Sequence, residues 1–123
     1  MSPNRLPDYL DHMRQAAIEA CEFVDGLSKQ DFLADKRTQK AVVMSLVIIG
    51  EVAAKVMDAA PAFVEAHPEV PWRSMRGMRN RITHGYFDIN LDLVWDTAQS
   101  ALPELLRQLS AVRPFAENAG GRA

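Results

Sequence analysis

Arg79, Asn80, His84 and Tyr86 bring a guanidinium, an amide, an imidazole and a phenol into eight consecutive positions. Arg73, Arg76 and Arg81 lie beside them, and no Asp or Glu occurs between Trp72 and Tyr86, although the whole chain carries a formal net charge of -2. Cations packed this densely repel one another unless an anion collects them, and phosphate is the anion that arginines grip best, through two parallel N–H···O bonds. An imidazole, whose ordinary pKa lies near neutrality, suits proton transfer and contributes about 10²- to 10⁴-fold in rate. If the phosphate belongs to RNA, the neighbouring ribose 2′-hydroxyl is a built-in nucleophile. His84 would then take its proton while Arg79 stabilises the charge of the crowded phosphorane-like transition state. Such chemistry needs no metal and no cofactor. The three histidines (His12, His67, His84) are scattered, without a His, Cys or carboxylate cluster at ligand spacing.

Plainer readings of the same residues exist. A helical arginine run is often a solvated face, a histidine near a helix C-terminus is a favourable partner for the helix dipole, and Tyr86 could be a packed ring with its hydroxyl in water. Glu51 is less easily dismissed. It sits in Ile48-Ile49-Gly50-Glu51-Val52-Ala53-Ala54, where an unpaired carboxylate would be costly to bury. Gly50 beside it weakens the helix without local gain, which suggests close approach of another backbone. Glu51 therefore either faces water at the edge of the fold or pairs with Arg76 or Arg79 and fixes that guanidinium. Asp88, Asp92 and Asp96 fit helix-capping and N-terminal charge preferences and need no other role.

The elements that must hold these groups read as helices. At 123 residues the chain is expected to be one domain with an ordinary hydrophobic core. Pro7-Asp8 opens a first helix, apolar at 3–4 spacing from Tyr9 to Leu27 and weakening at Gly26. Ser28 and Asp31 match a capping box for a short helix through Phe32 and Leu33. A second long helix is expected from about Asp35 to Ala60, ended by Pro61. From Ala41 to Ala54 it is apolar on almost every face, more than one small monomer can cover, which points to a two-fold dimer. A Pro-punctuated connection, with a single turn expected at Phe63–His67, leads to a third helix that starts at Pro71-Trp72, carries the basic cluster and breaks at Gly85.

On that third helix Asn80 shares a face with both Arg76 and His84. Arg79 and His84, five residues apart, diverge by about 140°. Either the helix unwinds near Gly85, or the site is completed by a second chain. Asp88 or Asn90 should cap a fourth long helix with an apolar stripe from Leu91 to Val112, kinked by Pro103. The expected domain spans 1–113 and the remainder, 114–123, is expected to be a frayed, flexible tail. The fold class is all-α: an antiparallel four-to-five-helix bundle.

Cys21 is the only cysteine, which excludes an intramolecular disulfide, and its neighbours suggest a packed thiol. With no secretory h-region, the expected location is the cytoplasm. The longest apolar run, Ala41 to Gly50, is about half of what a bilayer requires.

Arg79-Asn80-x3-His84 resembles the Arg-polar-x3-His signature of the HEPN superfamily of small α-helical ribonucleases and nucleotide-binding proteins. Its longer form, ending in Tyr86, is similar to the HepT branch, the toxin half of a bacterial toxin–antitoxin pair. Asp31-Phe32-Leu33-Ala34-Asp35 with Arg37, Ile48-Ile49-Gly50-Glu51, Val70-Pro71-Trp72-Arg73 and the Asp92–Trp95 stretch carry the resemblance further, over about Leu6 to Val112. It implies a HEPN-like, homodimeric bundle and a metal-independent RNA endonuclease of a type VII-like toxin–antitoxin system, with Arg79 and His84 of both chains lining one composite cleft. Asn80 would position substrate or His84. The implied partner is a minimal nucleotidyltransferase antitoxin that transfers AMP from ATP onto the motif tyrosine, here Tyr86. Bulky anionic groups beside the arginines would fill the phosphate site and repel RNA. Whether dimers assemble further with that partner stays open. The chain departs from the family at Val47, where a Glu is common. Two other functional classes compete: a non-catalytic nucleotide- or RNA-binding partner of the nucleotidyltransferase, and a helical dimerisation adaptor.

Overall fold

The computed structural model describes residues 4–118, all in helices and short connections. The helices are α1 (Leu6–Val24), α2 (Lys29–Leu33), α3 (Lys36–Ala59), α4 (Pro61–Ala66), α5 (Trp72–His84), α6 (Leu91–Asp96) and α7 (Leu102–Val112). Tyr86–Asp88 and Arg113–Asn118 form 3₁₀ turns, and Thr97–Ala101 is a π-helical turn joining α6 to α7. The all-α bundle expected from the sequence is the fold observed.

The long α3 is the centre of the bundle, packed against α1 on one side and α5 on the other, with α7 closing over α1. Its core-facing row runs Val42, Leu46, Ile49, Ala53 and Val56, the 3–4 spacing of a helix with one buried stripe. Leu6, Leu10, Met13, Ala17, Ala20 and Val24 of α1 and Leu102, Leu105, Leu109 and Val112 of α7 complete the core. The remainder of α3 is not fully covered: Met44 and Ile48 are 58% and 40% exposed.

Local signals set the helix boundaries. Ser28 and Asp31 form the expected capping box, each satisfying the other's backbone N–H at the start of α2. Asp35 caps α3 through the Thr38 N–H and hydroxyl, and these two bonds hold its carboxyl below the ordinary range, the hydroxyl bond contributing most. Phe32, completely buried, stacks at 5.4 Å on Trp95 and pins α2 to α6. Trp72 opens α5 with its indole N–H donating to the His67 carbonyl. Of the two candidate caps for the fourth helix, Asn90 is the one used, accepting from the Leu93 N–H.

Pro103 exerts its effect as a widened turn. It cannot donate to the Gln99 carbonyl four residues earlier, and its ring crowds that oxygen. The Leu102 N–H accordingly reaches back five residues to the Thr97 carbonyl, the bond of a π turn. Ala98, at 2% exposure, faces the core from within it. Cys21 is half-buried, with its thiol 3.9 Å from the Ala98 carbonyl, and burial pushes its pKa up.

The expectation of a frayed segment from Pro114 needs narrowing. Arg113–Asn118 is a defined 3₁₀ turn, Ala116 is completely buried, and the Asn4 amide donates to the Ala116 and Glu117 carbonyls. Arg113 grips Asp11 of α1 through two bonds of 2.8 and 3.2 Å. These are long-range contacts, invisible in a local pattern of Pro, Ala and Glu. Residues 119–123 of the expected tail lie outside the described residues.

Candidate active site

The site is built on the crossing of α3 and α5, and Gly50 is the residue that allows it. A Cβ placed on Gly50 would overlap the Arg79 side chain at Cβ and lie 2.7 Å from the Met75 carbonyl oxygen and 3.1 Å from Arg79 Cγ. The two backbones approach so closely that only a hydrogen fits between them. The close approach expected from Gly50 is therefore real, and what approaches is the helix carrying the arginines.

The next residue uses that proximity. Glu51, half exposed, forms an ion pair with the Arg79 guanidinium, Oε1 to Nη1. Of the two arginines proposed for it, Arg79 is the partner; Arg76 forms no ion pair among the described residues. On the other edge of the same guanidinium, Arg79 Nε donates to Asn80 Oδ1 at 2.8 Å. Arg79 thus has its stem packed on α3, only a fifth of its side chain exposed, and its fork held from two sides. Nη2 is the corner that neither contact uses. Within one chain Asn80 therefore contacts the Arg79 guanidinium and not His84.

His84 is placed differently. It is the last residue of α5, is exposed, and shares no hydrogen bond with Arg79 or Asn80 among the described residues. The helix ends at Gly85, whose N–H donates to the Arg81 carbonyl at 3.0 Å. Gly85 has φ −135° and ψ 45°, outside the left-handed region. It stops the helix without the positive-φ geometry that would demand glycine. Tyr86 follows in the 3₁₀ turn, half exposed, with its ring edge-on to Phe87 at 5.7 Å and 80°.

One chain therefore brings Glu51, Arg79 and Asn80 together and leaves His84 and Tyr86 at the open end of α5. The 140° divergence anticipated for Arg79 and His84 is not removed by unwinding, since α5 stays α-helical through His84. Arg73 is exposed, and Arg81 reaches only the Met78 sulfur, at 3.9 Å. Among the described residues no group of three or more His, Cys, Asp or Glu is arranged to hold a metal ion, and no helix is long and apolar enough to cross a membrane.

Two neighbours of the motif escaped the sequence reading. Phe87 is 97% exposed, and a groove beside it is lined by Lys36, Gln39 and Lys40 of α3. An apolar residue just past a helix ordinarily reads as core, and the lysines lie nearly fifty residues upstream, so no spacing links them.

The comparisons decide the family. The family described as "Ribonuclease HepT-like" matches residues 13–112, most of the chain and all of the α3–α5 crossing. The chain belongs to this HepT-like ribonuclease family. It is 36% identical over 106 residues to "Probable ribonuclease HepT" of Thermococcus cleftensis, covering 86% of this chain and 94% of that protein. It is 38% identical over 104 residues to "Putative RNase TTE0752" of Caldanaerobacter subterraneus subsp. tengcongensis, covering 85% and 90%. A third relative, "Putative RNase MJ0127" of Methanocaldococcus jannaschii, is 33% identical over 107 residues, covering 87% and 83%. No solved structure matches the chain. Membership and the names of these HepT-like relatives support a ribonuclease, which is the coarse function.

Proposed function

We infer that this HepT-like protein is a metal-independent RNA endonuclease and the toxin of a type VII-like toxin–antitoxin pair, acting as a homodimer. The observation that carries the reading is the held guanidinium: Glu51 and Asn80 fix Arg79 while His84 stands exposed at the end of the same helix. A guanidinium restrained in advance needs no reorganisation when charge develops on a phosphate, which is the source of most electrostatic catalysis. Nη2 is the donor left to meet it.

The second chain supplies what one helix lacks. Met44 and Ile48 form an exposed apolar row on α3 that runs toward Glu51 at helical spacing. Two copies joined along that row would set the two α5 helices beside one cleft, with Arg79 of one copy facing His84 of the other. His84 takes the proton of the ribose 2′-hydroxyl, the 2′-oxygen attacks the adjacent phosphorus, and the bond from phosphorus to the 5′-oxygen breaks. The leaving oxygen receives a proton from the second copy's imidazole. The products are a 2′,3′-cyclic phosphate and a free 5′-hydroxyl.

Tyr86 is the control point. Its hydroxyl attacks the α-phosphorus of ATP on a cognate nucleotidyltransferase, pyrophosphate leaves, and the attached AMP occupies the cleft and repels RNA. Half exposure of Tyr86 on a turn is compatible with that enzyme reaching it.

The test is RNA cleavage by the purified protein in excess chelator, with Arg79→Ala and His84→Ala alongside. Cleavage that survives chelator and is lost in both variants is expected; cleavage that needs added metal, or persists in His84→Ala, overturns the mechanism. Mass measurement after co-expression with a minimal nucleotidyltransferase partner should show AMP-sized increments that Tyr86→Phe lacks. A non-catalytic nucleotide- or RNA-binding role is favoured by one observation, the divergence of Arg79 and His84 within a chain, and it predicts binding without turnover under any condition.

A further inference from the structure

Phe87 is a large apolar side chain with almost no contact to its own protein. At 97% exposure it is the most exposed large hydrophobic residue among those described. It cannot contribute to the core, and its position in the 3₁₀ turn directly after Tyr86 holds it beside the motif.

Tyr86, Phe87, Ile89 and Leu91 line an open groove of about 430 Å³ together with Lys36, Gln39, Lys40 and Val43 of α3. That volume is within the range of sites for small ligands, roughly 300–1,000 Å³. Neither lysine is in an ion pair among the described residues. Asp35, next to Lys36 in sequence, is turned to Thr38 as a helix cap, and neither it nor Asp88 forms an ion pair with these lysines among the described residues. The Gln39 amide donates to the Phe32 and Leu33 carbonyls at 2.9 and 3.0 Å, which fixes the α3 wall of the groove.

An accessible aromatic face in one groove with two ammonium groups suits an unpaired nucleotide: the base stacks and the backbone is held electrostatically. We propose that this groove is a subsite for unpaired RNA, with a base stacked on Phe87 and a backbone phosphate held by Lys36 and Lys40. Tyr86 is shared between groove and motif, so a strand seated here enters the cleft beside His84. The protein accordingly selects single-stranded segments, since a base inside a duplex presents no free face to Phe87. The proposal deepens the ribonuclease reading and rests on it for the identity of the ligand as RNA.

The experiment uses the full chain carrying His84→Ala, to block cleavage, and a fluorescently labelled short oligoribonucleotide, single-stranded or annealed to its complement. Phe87→Ala is expected to weaken single-strand binding by roughly tenfold or more, the usual loss for one stacked base, with Phe87→Trp restoring it and duplex binding unchanged. Replacing Lys36 and Lys40 by Gln should reduce the slope of log Kd against log salt by roughly one, the value for one or two lost phosphate contacts. Unchanged single-strand affinity in Phe87→Ala overturns the subsite. If that variant instead loses dimerisation or nucleotidyltransferase binding while RNA affinity holds, Phe87 is a protein contact and the proposal falls. The two readings fail separately. Phe87-dependent RNA binding by a protein that never cuts would sink the nuclease reading and leave the subsite standing. Cleavage whose KM ignores Phe87 would do the reverse.

Discussion

The middle of α5 and its C-terminal end carry the two halves of the motif and are built in opposite ways. At Arg79 the helix is locked onto α3: Gly50 admits the arginine's own Cβ, Glu51 holds one edge of its guanidinium and Asn80 the other. At the His84 end nothing is locked. The imidazole at the last residue of the helix and the Tyr86 phenol and Phe87 ring of the turn after it have large exposed surfaces. The contrast fits the division of labour that the proposed mechanism requires. A group that must stabilise charge gains from being fixed beforehand, whereas groups that receive a substrate, a second chain or a modifying enzyme must be reachable.

The largest expected effect separates the two regions by activity and stability together. His84→Ala should lower kcat by roughly 10²- to 10⁴-fold and leave the thermal midpoint unchanged, because the side chain is exposed and bonded to nothing described. Arg79→Ala should cost roughly 10²- to 10³-fold in kcat and also lower the midpoint, since it strips a packed stem from the α3–α5 crossing and leaves Glu51 unpaired. Cleavage assays and calorimetry on both variants check this. Equal loss of stability in the two would break the contrast between a locked and an open end.

The glycines give the next effect. Gly50→Ala forces a methyl group into Arg79 and the Met75 carbonyl, neither of which can step aside without moving α5. Overpacking of this kind costs about 1–3 kcal/mol or more, and cleavage should fall with it as Arg79 is displaced. Gly85→Ala meets only the Arg81 carbonyl oxygen, at an ordinary 3.4 Å, in a backbone conformation other residues adopt. It should shift stability by no more than about 0.5 kcal/mol. Chemical denaturation of the pair reads both numbers, and a Gly85 variant as damaged as Gly50→Ala would show that the open end is constrained after all.

How much of this was legible beforehand depends on how local each cause is. The Ser28–Asp31 box, the stop at Pro61 and the start at Trp72 are set by neighbours in sequence and were readable. Gly50 was readable as an anomaly, a helix breaker in an apolar helix with no local excuse. The partner of Glu51 was not, since Arg76 and Arg79 differ only in rotation about α5, and packing on α3 decided it. The π turn before Pro103 was foreseen as a kink but not as a change of hydrogen-bond register. The burial of Ala116 and the exposure of Phe87 share one reason for being illegible: outside a periodic helix, tertiary contacts settle the burial of a single small or apolar residue. The one-chain geometry of Arg79 and His84 followed from helix period alone and persists in the fold.

Glu51→Gln should be milder than either pair. The carboxylate is half exposed, so the loss of its charge is expected to cost less than about 1 kcal/mol in stability. In the proposed mechanism its role is positioning: without the ion pair the guanidinium samples other rotamers, and kcat should fall by about tenfold with a smaller change in KM. Glu51→Asp, which keeps the charge at shorter reach, should recover part of the loss. Full activity in Glu51→Gln would mean that packing against Gly50 alone holds Arg79.

The smallest effect lies where no chemistry is proposed. The Arg113 guanidinium, bonded twice to Asp11, holds that carboxyl below the ordinary carboxylate range, with the hydrogen bond as the main cause and the nearby charge assisting. Because the folded pKa is the lower one, the pair stabilises the fold above the ordinary carboxylate pKa. That contribution is lost as pH falls through the folded value. More than half of the Asp11 side chain is exposed, so solvent screens the interaction and its contribution stays below about 1 kcal/mol, less at high salt. Asp11→Asn should therefore reduce stability slightly at neutral pH and flatten its decline between the ordinary carboxylate range and strongly acid conditions. Cleavage at neutral pH should be unchanged, because Asp11 and Arg113 join α1 to the Arg113–Asn118 turn and share no residue with the α3–α5 crossing. Denaturation of both proteins across that pH range gives the answer. An activity loss in Asp11→Asn would show that the closure of the termini is coupled to the site, and the division between a locked arginine and an open histidine would then have to include a third region.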